Sequence, residues 1–93
     1  MKMRHAVALA LTGWYLMIPP QLDKRTVDQT APISKWTVYS PHDTADACHL
    51  AQVEQRTIAE QKATQIRDQD VGVVLRQFLE SQCIASDDPR LRP

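Results

Sequence analysis

The side chains best suited to chemistry are concentrated in one short stretch, between positions 42 and 49. It contains two histidines, two aspartates and a cysteine, namely His42, Asp43, Asp46, Cys48 and His49. Together with Cys83, these residues could offer zinc a Cys₂His₂ set of ligands. The spacing does not favour such a site, because adjacent residues on a helix point about 100° apart and zinc motifs separate paired ligands by roughly two to five positions. A small metal-binding protein or an enzyme built on this cluster is therefore an alternative interpretation, and no metal ligand is assigned.

Cys48 and Cys83 are the only cysteines of the chain, and their positions favour a disulfide bond. Two helix-forming segments flank a polar break at residues 67–70, and the point midway between the cysteines lies close to this break. An antiparallel helical pair that turns there would carry the two sulfur atoms towards each other. A bond across such a loop stabilises a fold by about 3–4 kcal/mol on the chain-entropy model, and it persists in an oxidising compartment. We therefore predict a Cys48–Cys83 disulfide.

Familiar catalytic and cofactor-binding motifs are missing from the sequence. Only two glycines occur, Gly13 and Gly72, whereas phosphate-binding loops need several. The chain has no G-x-S-x-G, H-E-x-x-H or C-x-x-C pattern. A domain of this size also leaves little room for the shaped cleft that a reactive cysteine beside His49 would need. No enzymatic activity, no catalytic residue and no cofactor is therefore expected.

The distribution of charge argues against nucleic-acid binding. Nine basic and eleven acidic side chains follow residue 20, which gives this part of the chain a formal charge of −2. The sequence contains no cluster of lysines and arginines. Because DNA and RNA are bound largely through neutralisation of their phosphates, neither is expected as a partner.

The periodicity of apolar residues predicts two helices between Thr44 and Cys83. The first has an N-cap at Asp43-Thr44 and a thin apolar face. The second is expected to begin at Val71 after an Asp70 cap. Its apolar residues follow the helical series closely, at Val71, Val74, Leu75, Phe78 and Leu79. The second helix should therefore be the better buried.

Two short strands are predicted on either side of the helical pair. The first, from Lys35 to Ser40 and ended by Pro41, is rich in β-branched and aromatic residues, and the second is Cys83-Ile84-Ala85. A disulfide at Cys48 would place these strands side by side in antiparallel pairing, with Trp36, Phe78 and Ile84 at the junction with the helices. The fold class expected is a small, mostly helical α+β domain over residues 35–89. Its order is strand–helix–helix–strand, with the helical hairpin packed on a two-stranded antiparallel ribbon.

The two ends of the chain are predicted to lie outside this domain. Residues 1–20 have the pattern of a signal peptide or membrane-targeting segment, with a basic start and an apolar run over residues 6–18 that is too short to cross a bilayer. No small-residue cleavage site follows Pro19-Pro20. A cut near Thr12 or Gly13, or no cut at all, would leave an apolar segment attached that could contact the membrane, consisting of Trp14, Tyr15, Leu16, Met17 and Ile18. Residues 21–34 are interpreted as a linker and residues 90–93 as a tail.

Several segments resemble a group of small, uncharacterised exported bacterial proteins. The resemblance is carried by Gly13-Trp14-Tyr15-Leu16-Met17 with Pro19-Pro20, by Ala31-Pro32-Ile33-Ser34-Lys35-Trp36, by the Asp-Thr-Ala start of the helix that bears Cys48, and by Gln82-Cys83-Ile84-Ala85-Ser86-Asp87-Asp88-Pro89-Arg90-Leu91. It covers both ends of the chain, whereas the middle is generic. The resemblance implies bacterial origin and export, and it carries over no catalytic residue.

These observations favour a non-enzymatic accessory or binding module of the bacterial cell envelope. Its predicted location is the periplasm, either free or tethered to the inner membrane, where it would bind a protein or another envelope component. Two alternatives remain open: the metal-binding protein or enzyme described above, and a structural envelope protein without a discrete site.

Overall fold

The computed structural model describes residues 13–23, 25–65 and 69–92, which form a three-stranded sheet, two α-helices and two 3₁₀ turns. The strands are β1 (Trp14–Ile18), β2 (Thr37–His42) and β3 (Gln82–Ala85). The helices are α1 (Ala45–Gln65) and α2 (Gln69–Leu79). The first 3₁₀ turn is Ile33–Lys35 and the second is Pro89–Leu91. The α+β class and the predominance of helix over strand are confirmed.

The sheet corrects the prediction of a two-stranded ribbon. Its strand order is β2-β1-β3, so that β1 lies in the centre and is antiparallel to both neighbours. The two predicted strands are therefore parallel to each other and separated by a strand that the prediction assigned to the leader. Pro41, which was expected to end β2, lies within it opposite Tyr15. An edge strand tolerates proline because its outer side needs no ladder hydrogen bonds.

The helices lie where they were predicted, but α2 begins earlier and buries different residues. Thr44 caps α1, since its Oγ1 accepts a hydrogen bond of 3.0 Å from the backbone N–H of Ala47. Asp70 lies inside α2 rather than at its N-cap, because this helix begins at Gln69. Val73 is buried although it lies outside the predicted apolar stripe of α2. That stripe is only partly covered, since Phe78 is buried whereas Val74 and Leu79 are exposed. The reason is that α2 packs mainly against α1 and not against the sheet.

The predicted disulfide is present and links the helical pair to the sheet. Cys48 lies in the first turn of α1 and Cys83 lies in β3, with their Cα atoms 6.1 Å apart. This separation is typical of disulfides. The side chain of Cys48 is completely buried. The bond therefore fixes the start of α1 against the edge of the sheet.

The main core cluster draws on the segments predicted as leader, linker and strands. It contains Met17 from β1, Ile33 and Trp36 from around the first 3₁₀ turn, and Ile84 from β3. Leu91 packs against this cluster. Trp36 and Ile84 are thus buried together as expected, whereas Phe78 lies elsewhere and meets Tyr39 edge to face, with 4.9 Å between ring centroids.

The stretches interpreted as a linker and a tail are folded onto the domain. Within residues 21–34, Gln21 bridges to Val27, and Val27 and Ile33 are buried. Asp23 organises the intervening loop by accepting hydrogen bonds from the backbone N–H groups of Arg25 and Thr26. Tertiary burial of two isolated apolar residues, which gives no periodic pattern, explains why the sequence appeared linker-like.

The apolar segment at Trp14–Ile18 is the centre of the sheet. Residues 1–12, the first part of the predicted leader, lie outside the described residues. Leu16 and Met17 are buried, and Trp14 is half-buried. A membrane contact through Leu16 and Met17 would therefore require β1 to leave the sheet. Among the described residues, neither helix has the length and hydrophobicity needed to cross a bilayer.

Candidate functional site

A cavity lies where the two 3₁₀ turns meet, and we call it the Trp36 pocket. Its volume is about 710 Å³, within the range of roughly 300–1,000 Å³ typical of small-molecule sites. Its apolar wall consists of Ala31, Pro32, Ile33 and Trp36. Its neutral polar residues are Gln29, Ser34 and Gln82, and its cationic rim is formed by Lys35, Arg90 and Arg92. The pocket thus combines an apolar interior with a positively charged entrance.

The apolar wall is fixed by the first 3₁₀ turn. The backbone N–H of Lys35 donates to the carbonyl of Pro32 at 2.8 Å, and that of Trp36 donates to Ile33 at 3.0 Å. This turn buries Ile33 and directs Trp36 into the core. The indole N–H of Trp36 donates to the carbonyl of Ala31 at 2.9 Å. Because that donor is satisfied, the indole contributes an apolar surface to the pocket.

The second 3₁₀ turn holds Arg90 at the rim. Asp88 caps this turn, its Oδ1 accepting from the backbone N–H of Arg90 at 2.8 Å, and Pro89 occupies the first position as proline favours. The same carboxylate binds the Arg90 guanidinium, with Nη2 and Oδ2 2.9 Å apart. This hydrogen bond lowers the pKa of Asp88 and raises the pKa of Arg90. Arg90 is therefore oriented and partly neutralised by its own turn.

Among the described residues, the other two rim cations have no such partner. Lys35 and Arg92 are exposed, and their side chains form no hydrogen bond or ion pair with another described residue. None of the described residues that line the pocket is acidic. The rim therefore carries two cationic groups whose charge the described part of the fold does not compensate.

The cluster at residues 42–49 does not assemble into a metal site. Cys48 is bonded to Cys83, and His49 is exposed on α1. Across residues 13–23, 25–65 and 69–92, no three His, Cys, Asp or Glu side chains lie close enough to share a metal ion. A disulfide removes the thiolates that zinc requires. The zinc-binding alternative thus has no support among the described residues.

His42 makes one contact of chemical interest. Its Nε2 lies 2.8 Å from the Oγ of Ser40, which is two residues away on the same face of β2. Half-buried His42 also lines a cavity of about 370 Å³ with Trp14, Asp43 and Ser86. A serine and a histidine at this distance have the spacing of a nucleophile and its base. The described contacts give the ring no third group that orients it.

A smaller cleft lies between β2 and the helices. It has a volume of about 230 Å³, and its walls include Tyr39, Ile58, Val74 and Phe78. The Tyr39 hydroxyl donates to Oε1 of Gln55 at 3.1 Å, which closes one side. The cleft is too small to hold more than a few apolar groups.

Sequence reasoning missed the Trp36 pocket because its cations are far apart in the chain. Lys35 is separated by more than fifty positions from Arg90 and Arg92. The Asp88-Pro89 pair gave a usable signal for a capped turn, but nothing in the sequence placed that turn beside Lys35. Comparison of the chain with protein-family models found no match, and neither the curated proteins nor the solved structures gave one. The geometry of the pocket is therefore the basis of its proposed function.

Proposed function

We propose that this protein is a non-enzymatic binding module exported to the bacterial cell envelope, with the Trp36 pocket as its binding site. The observation that carries the proposal is the combination of an apolar cavity of about 710 Å³ with Lys35 and Arg92 at its rim, whose charges no described residue compensates. Exposed cations beside apolar surface are typical of sites that bind a partner.

Export is supported by the disulfide and by the N-terminal sequence. A buried Cys48–Cys83 bond is suited to an oxidising compartment, and Lys2 and Arg4 precede an apolar run. The position of β1 favours a cut near Thr12 or Gly13, or no cut, over a cut after Pro20. Removal of the first twenty residues would delete the central strand and leave β2 and β3 without a common neighbour.

Binding is tested by NMR on the isotopically labelled full chain. The chain is titrated with a panel of small anionic, neutral and cationic compounds, each carrying an apolar group. The expected result is that at least one class shifts the amide signals of Ile33 and Lys35 and the indole signal of Trp36, while signals from α1 stay in place. If no class shifts these signals, the assignment of a binding site to the Trp36 pocket is wrong.

Export is tested by measuring the intact mass of the protein recovered from fractionated bacterial cells. We expect it in the envelope or periplasmic fraction, oxidised, with Trp14 retained. Recovery from the cytosol with both thiols free would contradict the proposed location.

A second candidate function rests on the hydrogen bond between Ser40 and His42. If Ser40 acts as a nucleophile, a fluorophosphonate probe should label the full chain at Ser40, and His42→Gln should abolish labelling. Absence of labelling leaves the pair as a local contact of the edge strand.

A further inference from the structure

The ligand class of the Trp36 pocket can be inferred from the charges at its rim. Lys35 and Arg92 face solvent without a described partner, and Arg90 retains guanidinium donors that Asp88 does not use. No acidic side chain lines the pocket among the described residues. A cationic or neutral head group would leave these charges uncompensated, whereas an oxyanion would form charge-assisted hydrogen bonds with them.

The interior of the pocket favours an apolar group, whereas the rim favours an anion. Ile33 and Trp36 present apolar surface, and the only strong donor of the Trp36 side chain is already used by the carbonyl of Ala31. A polar group pushed against this wall would lose its hydrogen bonds to water without replacement. A hydrocarbon group placed there would instead be removed from water favourably.

We propose that the Trp36 pocket binds a small amphiphilic anion of the fatty-acid type. The carboxylate lies between Lys35 and Arg92, and the hydrocarbon chain lies against Ile33 and Trp36. This inference rests on the proposed function, because it names the ligand of the same site. Its basis is charge complementarity at the rim together with the apolar interior.

Three compounds with the same eight-carbon chain separate the contribution of the head group. They are octanoate, 1-octanol and octyltrimethylammonium, and each is used below its aggregation concentration. Binding is followed through the indole NMR signal of Trp36. We expect octanoate to bind about ten-fold more tightly than 1-octanol, since each of two exposed ion pairs contributes about three-fold. Octyltrimethylammonium should bind most weakly. Added salt should reduce the advantage of octanoate, because the rim is open to solvent.

Two double variants with the same change of net charge provide the site test and its control. In Lys35→Gln/Arg92→Gln the preference for octanoate over 1-octanol should fall about ten-fold, to near parity, while 1-octanol still binds. The control is Lys62→Gln/Arg76→Gln, which removes two exposed cations from the helices and should keep the preference. Urea unfolding of both variants verifies that each is folded.

The outcomes distinguish the ligand class from the site itself. The assignment of an amphiphilic anion as the ligand is wrong if 1-octanol or octyltrimethylammonium binds as tightly as octanoate, or if the Lys35→Gln/Arg92→Gln variant keeps the preference for octanoate over 1-octanol. In either case the pocket remains a binding site. If none of the three compounds shifts the Trp36 signal, this inference fails, whereas the proposed binding site fails only if the whole panel of compounds described above also leaves the signal in place.

Discussion

Removal of the Cys48–Cys83 disulfide should destabilise this protein by a large and calculable amount. The bond joins residues 35 positions apart, and on the chain-entropy model a loop of that length corresponds to about 4 kcal/mol at 25 °C. The free energy of unfolding of a small domain is roughly 5–15 kcal/mol, so the loss of about 4 kcal/mol is a substantial fraction of the stability. The physical reason is that the opened chain gains conformational freedom mainly in the unfolded state.

Urea unfolding measures the effect directly. For a chain of this size the free energy falls by about 1–1.5 kcal/mol per molar urea, and the unfolding midpoint of Cys48→Ala/Cys83→Ala should therefore drop by about 3 M. Reduction of the wild-type protein should give a similar drop. The control is the same reductant added to the double variant, which has no disulfide to lose and should not respond.

A clear result would refute this reasoning. If reduced wild type and the double variant both unfold within about 0.5 M of the oxidised protein, closing the loop contributes little, and the fold does not depend on the disulfide in the way described. A drop in the variant alone would point to lost packing around buried Cys48 instead of chain entropy.

Two further predictions concern β1 and the second 3₁₀ turn. Leu16→Ala should lower the free energy of unfolding by about 3 kcal/mol, because Leu16 is completely buried. The control is Leu22→Ala, at a residue that is 65% exposed, which should lower it by less than about 0.5 kcal/mol. Equal effects of the two substitutions in urea unfolding would contradict a structural role for β1. The hydrogen bond from Arg90 holds the pKa of Asp88 below its ordinary value of 3.8, so its contribution is present above that pH and is lost as the pH falls through the lower, folded-state pKa. The melting temperature of Asp88→Asn and of Arg90→Gln should therefore fall less steeply than that of the wild type below about pH 4, and parallel profiles would show that the pair does not contribute.

The position of β1 also changes how the N-terminus is interpreted. The sequence of residues 1–20 is typical of an export segment, yet its second half supplies Leu16 and Met17 to the core. Both features coexist if the apolar residues 14–18 are retained after export. Apolar character alone cannot separate these roles, because a buried strand and a targeting segment are both continuous apolar runs.

Three of the segments on which we based a proposed relation to exported bacterial proteins come together in the fold. Residues 13–20 contain the central strand, residues 31–36 contain the first 3₁₀ turn, and residues 82–91 contain β3 and the second 3₁₀ turn. The two turns contact each other and form the Trp36 pocket between them. These three segments thus contribute two of the three strands and most of the residues that line the candidate site, and the middle of the chain forms the helical pair.

The sequence by itself determined the features that depend on local pattern, and it identified the two cysteines that form the disulfide. Helical periodicity and the Thr44 cap placed α1, and a lone pair of cysteines on either side of a polar break predicted their bond. The position of α1 can be predicted from the sequence because capping and periodicity act over a few neighbouring residues.

Only the tertiary structure decided that Trp14–Ile18 separates the two predicted strands, and that Lys35 shares a rim with Arg90 and Arg92. Strand order and rim composition depend on contacts between distant residues, and no local propensity encodes which strand inserts between two others. Burial of Ile33 likewise follows from the turn it occupies and not from any repeating pattern. The candidate site is therefore a product of long-range packing, because the cationic, apolar pocket forms only when residues 29–36 and residues 82–92 fold onto the same sheet.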